Sequence, residues 1–330
     1  MIKYILHILN VLTLTVLSTI SIHAAERKIQ LASDVWPPFT NEDGKARLAT
    51  EIVHLALTRS GYAPETTLLD KWTVTSDLKA EKYDGCGAIW KSVEREKYLL
   101  FSKPYLESRL HLVGKKGSDV SITDLSALEG KRIALVKDYA YGSLVDDCER
   151  LEVIYGNNDI DNLKMLISDK ADYTLVDALL IQHAKREQAE KCEEFLAFSA
   201  DPLTINPVHL ALRKNLPNAA KILEQFNQTI RLMQADGTYN RLLRLKSIAI
   251  DIDDNGEKEL VLNGMELELA TISSGYEIFS NDKKLPPKTR YSIRDQIYNG
   301  WDEIPDDYRG TDNVIPDTRA EGFNLFGGDF

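Results

Sequence analysis

Arg95 occupies a position where local structure gives an arginine no benefit. The segment 92–96, Ser-Val-Glu-Arg-Glu, predicts one helical turn with Ser92 as its N-cap. Glu94 and Glu96 suit the positive first turn of a helix, whereas the helix dipole does not stabilise a cation there. Free N–H groups at a helix start and a guanidinium fork together form a receptor for a carboxylate. The alternative is a solvated arginine paired with Glu94 or Glu96.

A second charged group stands at the end of a predicted strand. The segment 171–177, Ala-Asp-Tyr-Thr-Leu-Val-Asp, is typical of a buried strand and places Asp177 at its carboxyl end. Ligands of open α/β sheets bind at that end of the strands. An aspartate there is also a common helix N-cap, and residues 178–185 follow with a helical pattern. The sequence leaves both roles open, ligand contact and cap.

The stretch 83–105 resembles a segment of the bacterial extracellular solute-binding proteins of family 3, the polar amino-acid type, whose fold also forms the ligand core of ionotropic glutamate receptors. The family's run D…T-x-E-R…F-S-x-P-Y is present as Asp84, Ser92-Val93-Glu94-Arg95 and Phe101-Ser102-Lys103-Pro104-Tyr105. A weaker likeness extends over residues 29–245. The resemblance implies that Arg95 holds the α-carboxylate of a ligand and Asp177 its amino group. It also implies an α/β protein with the two-lobed, hinged type II periplasmic-binding-protein fold.

Two tryptophans stand at cleft positions of this family. Asp34 and Trp36 precede Pro-Pro-Phe after the first predicted strand, where the family has an acidic residue and an aromatic wall of the cleft. Trp90 replaces a Ser or Thr that is common five residues before the arginine. An indole offers one N–H and a large apolar face, so it cannot substitute for that hydroxyl. We therefore expect a ligand bulkier or more cationic than Gln or Glu. The alternative for both tryptophans is packing in the core.

The second lobe is expected to contribute tyrosines. In the family, the turn after the strand 131–136 has glycine and small hydroxyl residues that close on the ligand, and here Tyr139 and Tyr141 replace small residues. We expect at least one of them to line the cleft. The predicted ligand-binding residues are Asp34, Trp36, Trp90, Ser92, Arg95, Tyr139, Tyr141 and Asp177.

The beginning of the chain predicts export. A short basic segment, an apolar run over 4–22 and the small residues Ala24 and Ala25 are typical of a signal peptide over 1–25, cleaved near those alanines. The alternative is an uncleaved membrane anchor. The formal net charge of −11 argues against a nucleic-acid partner or an anionic membrane surface. We expect a periplasmic monomer.

The remaining length exceeds what one compact core holds, which indicates more than one lobe. The resemblance and the strand pattern divide the chain into a first lobe of residues 26–108 and 207–246 and a second lobe of residues 109–206. Two chain crossings between the lobes permit hinge closure around a ligand. Residues 247–330 form a C-terminal β-rich extension of unassigned role.

An acidic loop lies within this extension. Asp251, Asp253, Asn255, Glu257 and Glu259 have the oxygen spacing of a calcium loop, in which the carbonyl of Glu257 is the fourth ligand. The bidentate glutamate of an EF-hand is absent. The alternative is an Asn-Gly hairpin turn with soluble acids around it. The sequence leaves the two open, and it predicts no other cofactor.

Catalysis finds little support in the sequence. The six His show no metal-ligand spacing, and no nucleophile elbow or P-loop is present. Cys86 is expected to be a small core residue. The sequence leaves open whether Cys148 and Cys192 form a disulfide. We therefore predict a non-enzyme.

The hypothesis that follows is a periplasmic solute-binding protein that captures a small zwitterionic ligand, an amino acid or derivative, for an ABC importer. The alternative is a ligand sensor that signals to a membrane partner through residues 247–330. A minor alternative is an exported enzyme, because a few members of this fold are dehydratases.

Overall fold

The computed structural model describes residues 27–137, 139, 141, 145, 150–243, 245, 247–253, 255–263, 276–277, 288–293 and 296–306. The predicted signal peptide lies outside these residues, as does Cys148, whereas Cys192 is a free, buried cysteine. Among the residues described, no helix combines the length and the apolar character needed to cross a membrane.

The main body consists of one sheet with helices on its faces. Its strands are β1 (Arg27–Ser33), β2 (Tyr62–Leu68), β3 (Gly85–Trp90), β4 (Leu99–Phe101), β5 (Leu106–Lys115), β6 (Arg132–Val136), β7 (Glu152–Gly156), β8 (Tyr173–Asp177), β9 (Leu196–Phe198) and β10 (Thr204–Arg213). Its helices are α1 (Leu48–Arg59), α2 (Lys71–Lys79), α3 (Asp159–Ile167), α4 (Ala178–Phe195), α5 (Ala219–Ala235) and α6 (Thr238–Leu242). The strand order is β2-β1-β3-β10-β5-β8-β6-β7, with β4 beside β10 and β9 beside β5.

The predicted first lobe is a three-layer unit. Strands β1, β2 and β3 are parallel, and β10 runs antiparallel beside β3. Helices α1 and α5 bury Ile52 and Phe226 in one cluster with β1 and β10. Helix α2 buries Val74 and Leu78 in a separate cluster with Cys86. Cys86 is therefore the core residue that the sequence predicts.

The predicted second lobe repeats this layering around β5, β6, β7 and β8. Leu112 and Leu175 belong to one apolar cluster, whereas their sequence neighbours Val113 and Val176 belong to another. Successive side chains of a strand point to opposite faces, so both faces of this sheet are covered. Helices α3 and α4 cover the face of Val113 and Val176.

The two crossings between the lobes are hydrogen-bonded to each other. Strands β5 and β10 are antiparallel, with Val208 opposite Leu106 and Thr204 opposite Leu110. Beyond this segment β5 pairs with β8 and β10 pairs with β3, so the paired segment joins both halves of the sheet. The predicted lobe boundaries at 108/109 and 206/207 fall within this segment and stay predictions.

The last part of the arginine motif stabilises this junction. The Ser102 N–H donates to the carbonyl of Leu210 at 2.9 Å, and its hydroxyl accepts from the Leu210 N–H at 3.1 Å. The Tyr105 hydroxyl donates to the carbonyl of Gly87 at 2.9 Å. These bonds join the exit from the arginine turn to β10 and β3. This end of the motif is therefore structural.

The C-terminal extension is β-rich, as predicted. Strands β11 (Ser247–Ile250), β12 (Glu259–Asn263), β13 (Tyr276–Glu277), β14 (Lys288–Ile293) and β15 (Gln296–Tyr298) form a second sheet in the order β13-β11-β12-β14-β15.

The second sheet packs directly on the first lobe. Ile248 of β11 and Val261 of β12 belong to the same buried cluster as Phe226. The Asn240 side chain donates to the carbonyl of Val261 at 3.2 Å. Gly237 has a φ of +73°, and a Cβ there would lie 2.2 Å from Oγ of Ser292, so only glycine fits between α5 and β14. The described part of the extension thus shares a core with the binding fold.

The acidic loop joins β11 and β12, which are antiparallel neighbours. The Asp251 carboxylate accepts from the N–H groups of Asn255 and Gly256 at 3.1 and 2.8 Å. Glu259 forms an ion pair with Arg290. Within the described ranges, no three His, Cys, Asp or Glu side chains are close enough to hold a metal ion. This arrangement is compatible with both alternatives, and the calcium site stays a prediction.

We expect Ile248→Ala to destabilise the first lobe, not only the extension. Ile248 is 0% exposed, and removal of such a side chain typically lowers the free energy of unfolding by about 2–5 kcal/mol. Hydrogen exchange within α5 should accelerate together with exchange in β11. The control is Leu232→Ala, at a residue of α5 that is 65% exposed, which should change stability by less than about 0.5 kcal/mol. Unchanged protection of α5 in Ile248→Ala would show that the two parts are independent.

Candidate ligand-binding site

A cavity of about 70 Å³, partly open to solvent, lies where the first lobe faces Tyr139 of the second. Its charged and aromatic lining residues are Asp34, Trp36, Lys71, Trp90, Arg95 and Tyr139. Five of the predicted ligand-binding residues are among them. The other three, Ser92, Tyr141 and Asp177, do not line it. Whether any of the eight contacts a ligand stays a prediction.

The loop after β1 positions Asp34 and Trp36. The Trp36 N–H lies 3.1 Å from Oγ1 and 2.9 Å from the carbonyl oxygen of Thr40, and the Phe39 N–H donates to the Trp36 carbonyl at 2.8 Å. These bonds close a tight loop that places the Trp36 ring against Phe39 at a centroid distance of 4.3 Å. Burial raises the pKa of the Asp34 carboxyl, and the charges of Lys71 and Arg95 partly offset this.

Three aromatic rings meet in the cavity. The Trp36 ring centroid lies 5.4 Å from that of Trp90 and 6.0 Å from that of Tyr139. The Trp90 and Tyr139 centroids are 6.3 Å apart, and all three contacts are close to edge-to-face. In the part of the chain that the structure describes, the buried indole N–H of Trp90 has no acceptor. Trp90 lines the cavity and also packs against the buried cluster of the first lobe, so both alternatives for this residue apply.

Arg95 begins a short 3₁₀ turn, Arg95–Lys97, in place of the predicted helical turn. Its N–H donates to the Ser92 hydroxyl at 3.3 Å, so Ser92 acts as the cap of the turn and not as cavity wall. One guanidinium nitrogen, Nη1, donates to the carbonyl of Trp90 at 2.6 Å. This bond fixes the side chain along the cavity wall. A planar guanidinium held in this way can still present a second N–H edge to a carboxylate.

Lys71 is a cavity residue that the sequence analysis missed. It follows Asp70, whose carboxylate accepts from the Thr73 N–H at 2.9 Å and so begins α2. Its Nζ lies 4.7 Å from the centroid of the Tyr139 ring, a cation–π contact between the lobes. The sequence did contain a signal for this role of Lys71. Like Arg95, it is a cation at a helix start, where the helix dipole does not stabilise it.

Tyr139 and Tyr141 have different roles. Tyr139 contacts Trp36, Trp90 and Lys71 as described above, and burial raises the pKa of its hydroxyl well above the usual value. Tyr141 is buried in the core of the second lobe, where its hydroxyl accepts from the Val136 N–H at 2.8 Å. The structure thus brings one of the two tyrosines to the cavity. Sequence spacing alone could not separate them.

Asp177 is the helix cap that the sequence left as one alternative. Its Oδ1 accepts from the Leu179 N–H at 2.8 Å at the start of α4. Its Oδ2 has no hydrogen-bond partner in the ranges described. The cap thus uses one carboxylate oxygen. Asp177 is buried and does not line the cavity, so its contact with a ligand stays a prediction.

Asp159, at the start of α3, is a second buried carboxyl that the sequence analysis missed. Burial, reinforced by the charge of Asp177, raises the pKa of Asp159 to about 7. Burial likewise raises the pKa of Asp177 to about 7, against the effect of its hydrogen bonds and of the Arg109 charge. The charges of Asp159 and Asp34 add to the effect of burial in raising the pKa of Tyr139.

These raised values predict that stability falls as pH rises. Below about pH 4 Asp159 is protonated in both the folded and the unfolded chain. Between its usual pKa of 3.8 and its pKa of about 7 in the folded protein, only the folded chain holds the proton. The free energy of unfolding should therefore decrease over this window, by up to about 1.4 kcal/mol per pH unit for one proton. Asp159→Asn should remove this contribution. Urea unfolding of both proteins between pH 5 and 8 measures it, with Asp161→Asn, on the same helix, as control. A stability difference that does not change with pH would contradict the assignment.

Comparisons with known proteins agree with this geometry. The model of the bacterial extracellular solute-binding proteins, family 3, matches residues 29–244. The L-cystine-binding protein TcyJ of Escherichia coli K12 is 27% identical over 221 residues, which cover 63% of this chain and 77% of TcyJ. The virulence sensor protein BvgS of Bordetella pertussis is 24% identical over 144 residues, which cover 42% of this chain and only 12% of BvgS.

The fold has solved counterparts. The GluR0 ligand-binding core from Nostoc punctiforme superposes with a TM-score of 0.54 at 21% identity, over 65% of this chain and 96% of that core. This likeness confirms the predicted two-lobed type II fold. Because the family model matches residues 29–244, which contain every residue of the cavity, the chain belongs to the bacterial extracellular solute-binding proteins of family 3.

Proposed function

We propose that this protein is an exported binding protein that captures a zwitterionic α-amino acid, or a derivative of one, in the cavity and delivers it to an ABC importer. The observation that carries the proposal is the position of Arg95 in a cavity walled by three aromatic rings. The guanidinium can receive a carboxylate, and the neighbouring aromatic rings provide apolar walls. Such a site binds a small molecule that has a charged head and a body.

In this proposal Arg95 binds the ligand carboxylate, and Oδ2 of Asp177 binds its ammonium. Trp36, Trp90 and Tyr139 contact the ligand body. Asp177 and Tyr139 lie in the second lobe and Arg95 in the first, so a zwitterion links the lobes and stabilises the closed form. Closure also removes water from the charge pairs, which strengthens them.

Two observations favour sensing as a second candidate function. The described part of the extension shares its core with the first lobe, through Ile248 and Val261, so it could transmit closure to a partner. Part of the chain is also similar to a sensor protein. A permease gene beside this one would favour import, and its absence would favour sensing. The proposed site and ligand are the same in both cases.

The experiment that tests the function is a thermal-shift screen with amino acids and their derivatives. A ligand that binds only the folded form stabilises it by about 2.7 kcal/mol at 100 times its Kd. We expect at least one zwitterionic α-amino compound to raise the Tm in this way. If none does, the proposed function is wrong.

Arg95→Ala should abolish binding of the compound identified in that screen and leave the fold intact. Loss of a charge-assisted contact in a desolvated site costs about 2–5 kcal/mol. Arg95→Lys should also lose most of the affinity, because an ammonium cannot replace the planar fork. The control is Lys97→Ala in the same turn, since Lys97 is exposed and paired with Glu94. Calorimetric affinity in Arg95→Ala equal to that of the wild type would rule out the carboxylate site.

Trp90→Thr should shift ligand preference toward ordinary polar amino acids such as Gln and Glu. The change restores the hydroxyl that the family commonly has and removes an apolar face from the cavity. The fluorescence response to ligand should also fall, whereas Trp72→Phe, at an exposed position of α2, should leave most of it. If the wild type prefers Gln or Glu and Trp90→Thr changes nothing, Trp90 does not select the ligand.

A further inference from the structure

A second cavity lies at the junction between the first lobe and the C-terminal extension. Its volume is about 390 Å³, which suits a small organic molecule. The first lobe contributes residues of α5 and of the segment 103–105, and the extension contributes the end of β11 and the loop before β12. None of the residues described in its lining also lines the interlobe cavity. This junction cavity is therefore a separate feature, formed where the extension packs on the first lobe.

Three cations from three parts of the chain line the junction cavity. Lys103 lies between β4 and β5, Arg231 lies on α5, and Lys258 directly precedes β12. Nζ of Lys258 is itself buried. A lysine ammonium has three N–H donors and a guanidinium has five, so each side chain can hold a contact within the protein and still donate to a ligand. Cations that converge on one cavity from separate elements favour an anionic ligand.

The one carboxylate among the described lining residues is held by its own loop. Oδ1 of Asp251 accepts from the Asn255 N–H at 3.1 Å, and Oδ2 accepts from the Gly256 N–H at 2.8 Å. These bonds fold the loop between β11 and β12 into one wall of the junction cavity. Because backbone donors already contact both oxygens, this carboxylate opposes an incoming anion less than a free one would.

Two side-chain amides of α5 add donors to the lining. Oδ1 of Asn227 accepts from the Lys103 N–H at 3.0 Å, so Nδ2 of the same amide is directed to another partner. Gln234 is only 3% exposed, and its side-chain amide forms no hydrogen bond with any residue that the structure describes. A buried amide without a partner costs free energy, so a ligand that offers an acceptor stabilises this wall.

Apolar side chains form the rest of the lining. They belong to Pro104, Tyr105, Ile230 and Ile250. Ile230 of α5 and Ile250 of β11 lie in the same buried cluster, so core packing fixes this part of the cavity. Apolar walls with a few convergent polar groups are typical of sites for organic molecules.

We propose that the junction cavity is a second binding site, and that it takes a small organic dianion, either a dicarboxylate or a phosphate ester. The dianion contacts Arg231 and Gln234 of the first lobe and Lys258 of the extension, so it links the two parts. This inference does not depend on the proposed function, because no residue of the interlobe cavity takes part.

The test is isothermal titration calorimetry of the protein with succinate and with inorganic phosphate, at an ionic strength matched with NaCl. Acetate, which has a single carboxylate, is the control ligand. We expect one of the two dianions to bind at least about tenfold more tightly than acetate, the effect of one further charged hydrogen bond. The dianion that binds identifies the head group as carboxylate or phosphate. If neither binds more tightly than acetate, the proposal is wrong.

Arg231→Gln and Gln234→Leu locate the site. Each should lower the affinity for the dianion at least about tenfold, because each removes donors from the lining. The matched control is Lys221→Gln, which should keep the wild-type affinity, since Lys221 is an exposed cation on the same helix and does not line the junction cavity. Wild-type affinity in both Arg231→Gln and Gln234→Leu would overturn the proposal. Loss of dianion binding in Arg95→Ala alone would assign it to the interlobe cavity and overturn the proposal as well.

Hydrogen exchange of the wild type gives a readout that needs no variant to fold. Addition of the dianion should increase protection at the end of α5 and in β12, and it should leave β6 and β8 of the second lobe unchanged. Increased protection confined to the second lobe, or in neither region, would contradict the junction site.

Discussion

The pairing of β5 with β10 is the constraint on which the rest of the molecule depends. The chain passes between the lobes twice, and the two passages are neighbouring antiparallel strands over Leu106–Leu110 and Thr204–Val208. Each strand then pairs with elements of one lobe, β10 with β3 and β5 with β8. A junction of only a few paired residues can bend without breaking the packed layers on either side. The cavity residues lie on both sides of it, so their separation is set by this one joint.

The cavity concentrates charge where water is partly excluded. Arg95 and Lys71 stand on the first-lobe side, and Asp159 and Asp177 are buried in the second lobe. Electrostatic interactions in such a place are stronger than at the surface, and an unpaired charge there destabilises the fold correspondingly more. The aromatic rings of Trp36, Trp90 and Tyr139 provide the low-dielectric walls. In the proposed function, binding and closure form one process, because the charges gain most when the lobes come together.

The extension changes how the first lobe is stabilised. Ile248 and Val261 belong to the same buried cluster as Phe226 of α5, so the described part of the extension enlarges the core of the first lobe. The strands around residues 247 and 259 could be predicted, because alternation and an Asn-Gly turn are local signals. Their packing partner could not be predicted, because the apolar face of a strand does not specify which helix covers it. The same limit applies to Asp177. Its place at a strand end was predictable, but the sequence could not show that Oδ1 accepts from the Leu179 N–H while Oδ2 has no hydrogen-bond partner among the described residues.

The sequence by itself determined the family, the Ser92-capped turn around Arg95 and the aromatic residues after β1 and at the end of β3. These are short-range properties, carried by spacing, turn chemistry and a recognisable motif. Tertiary structure alone decided that Tyr139 reaches the cavity while Tyr141 packs, and that Lys71 lines the cavity. It alone brought Asp159 beside Asp177, because α3 and β8 are separate in the chain and meet only when the second lobe packs. The pKa values of charged groups that are distant in sequence depend on burial, and burial is a property of the whole fold.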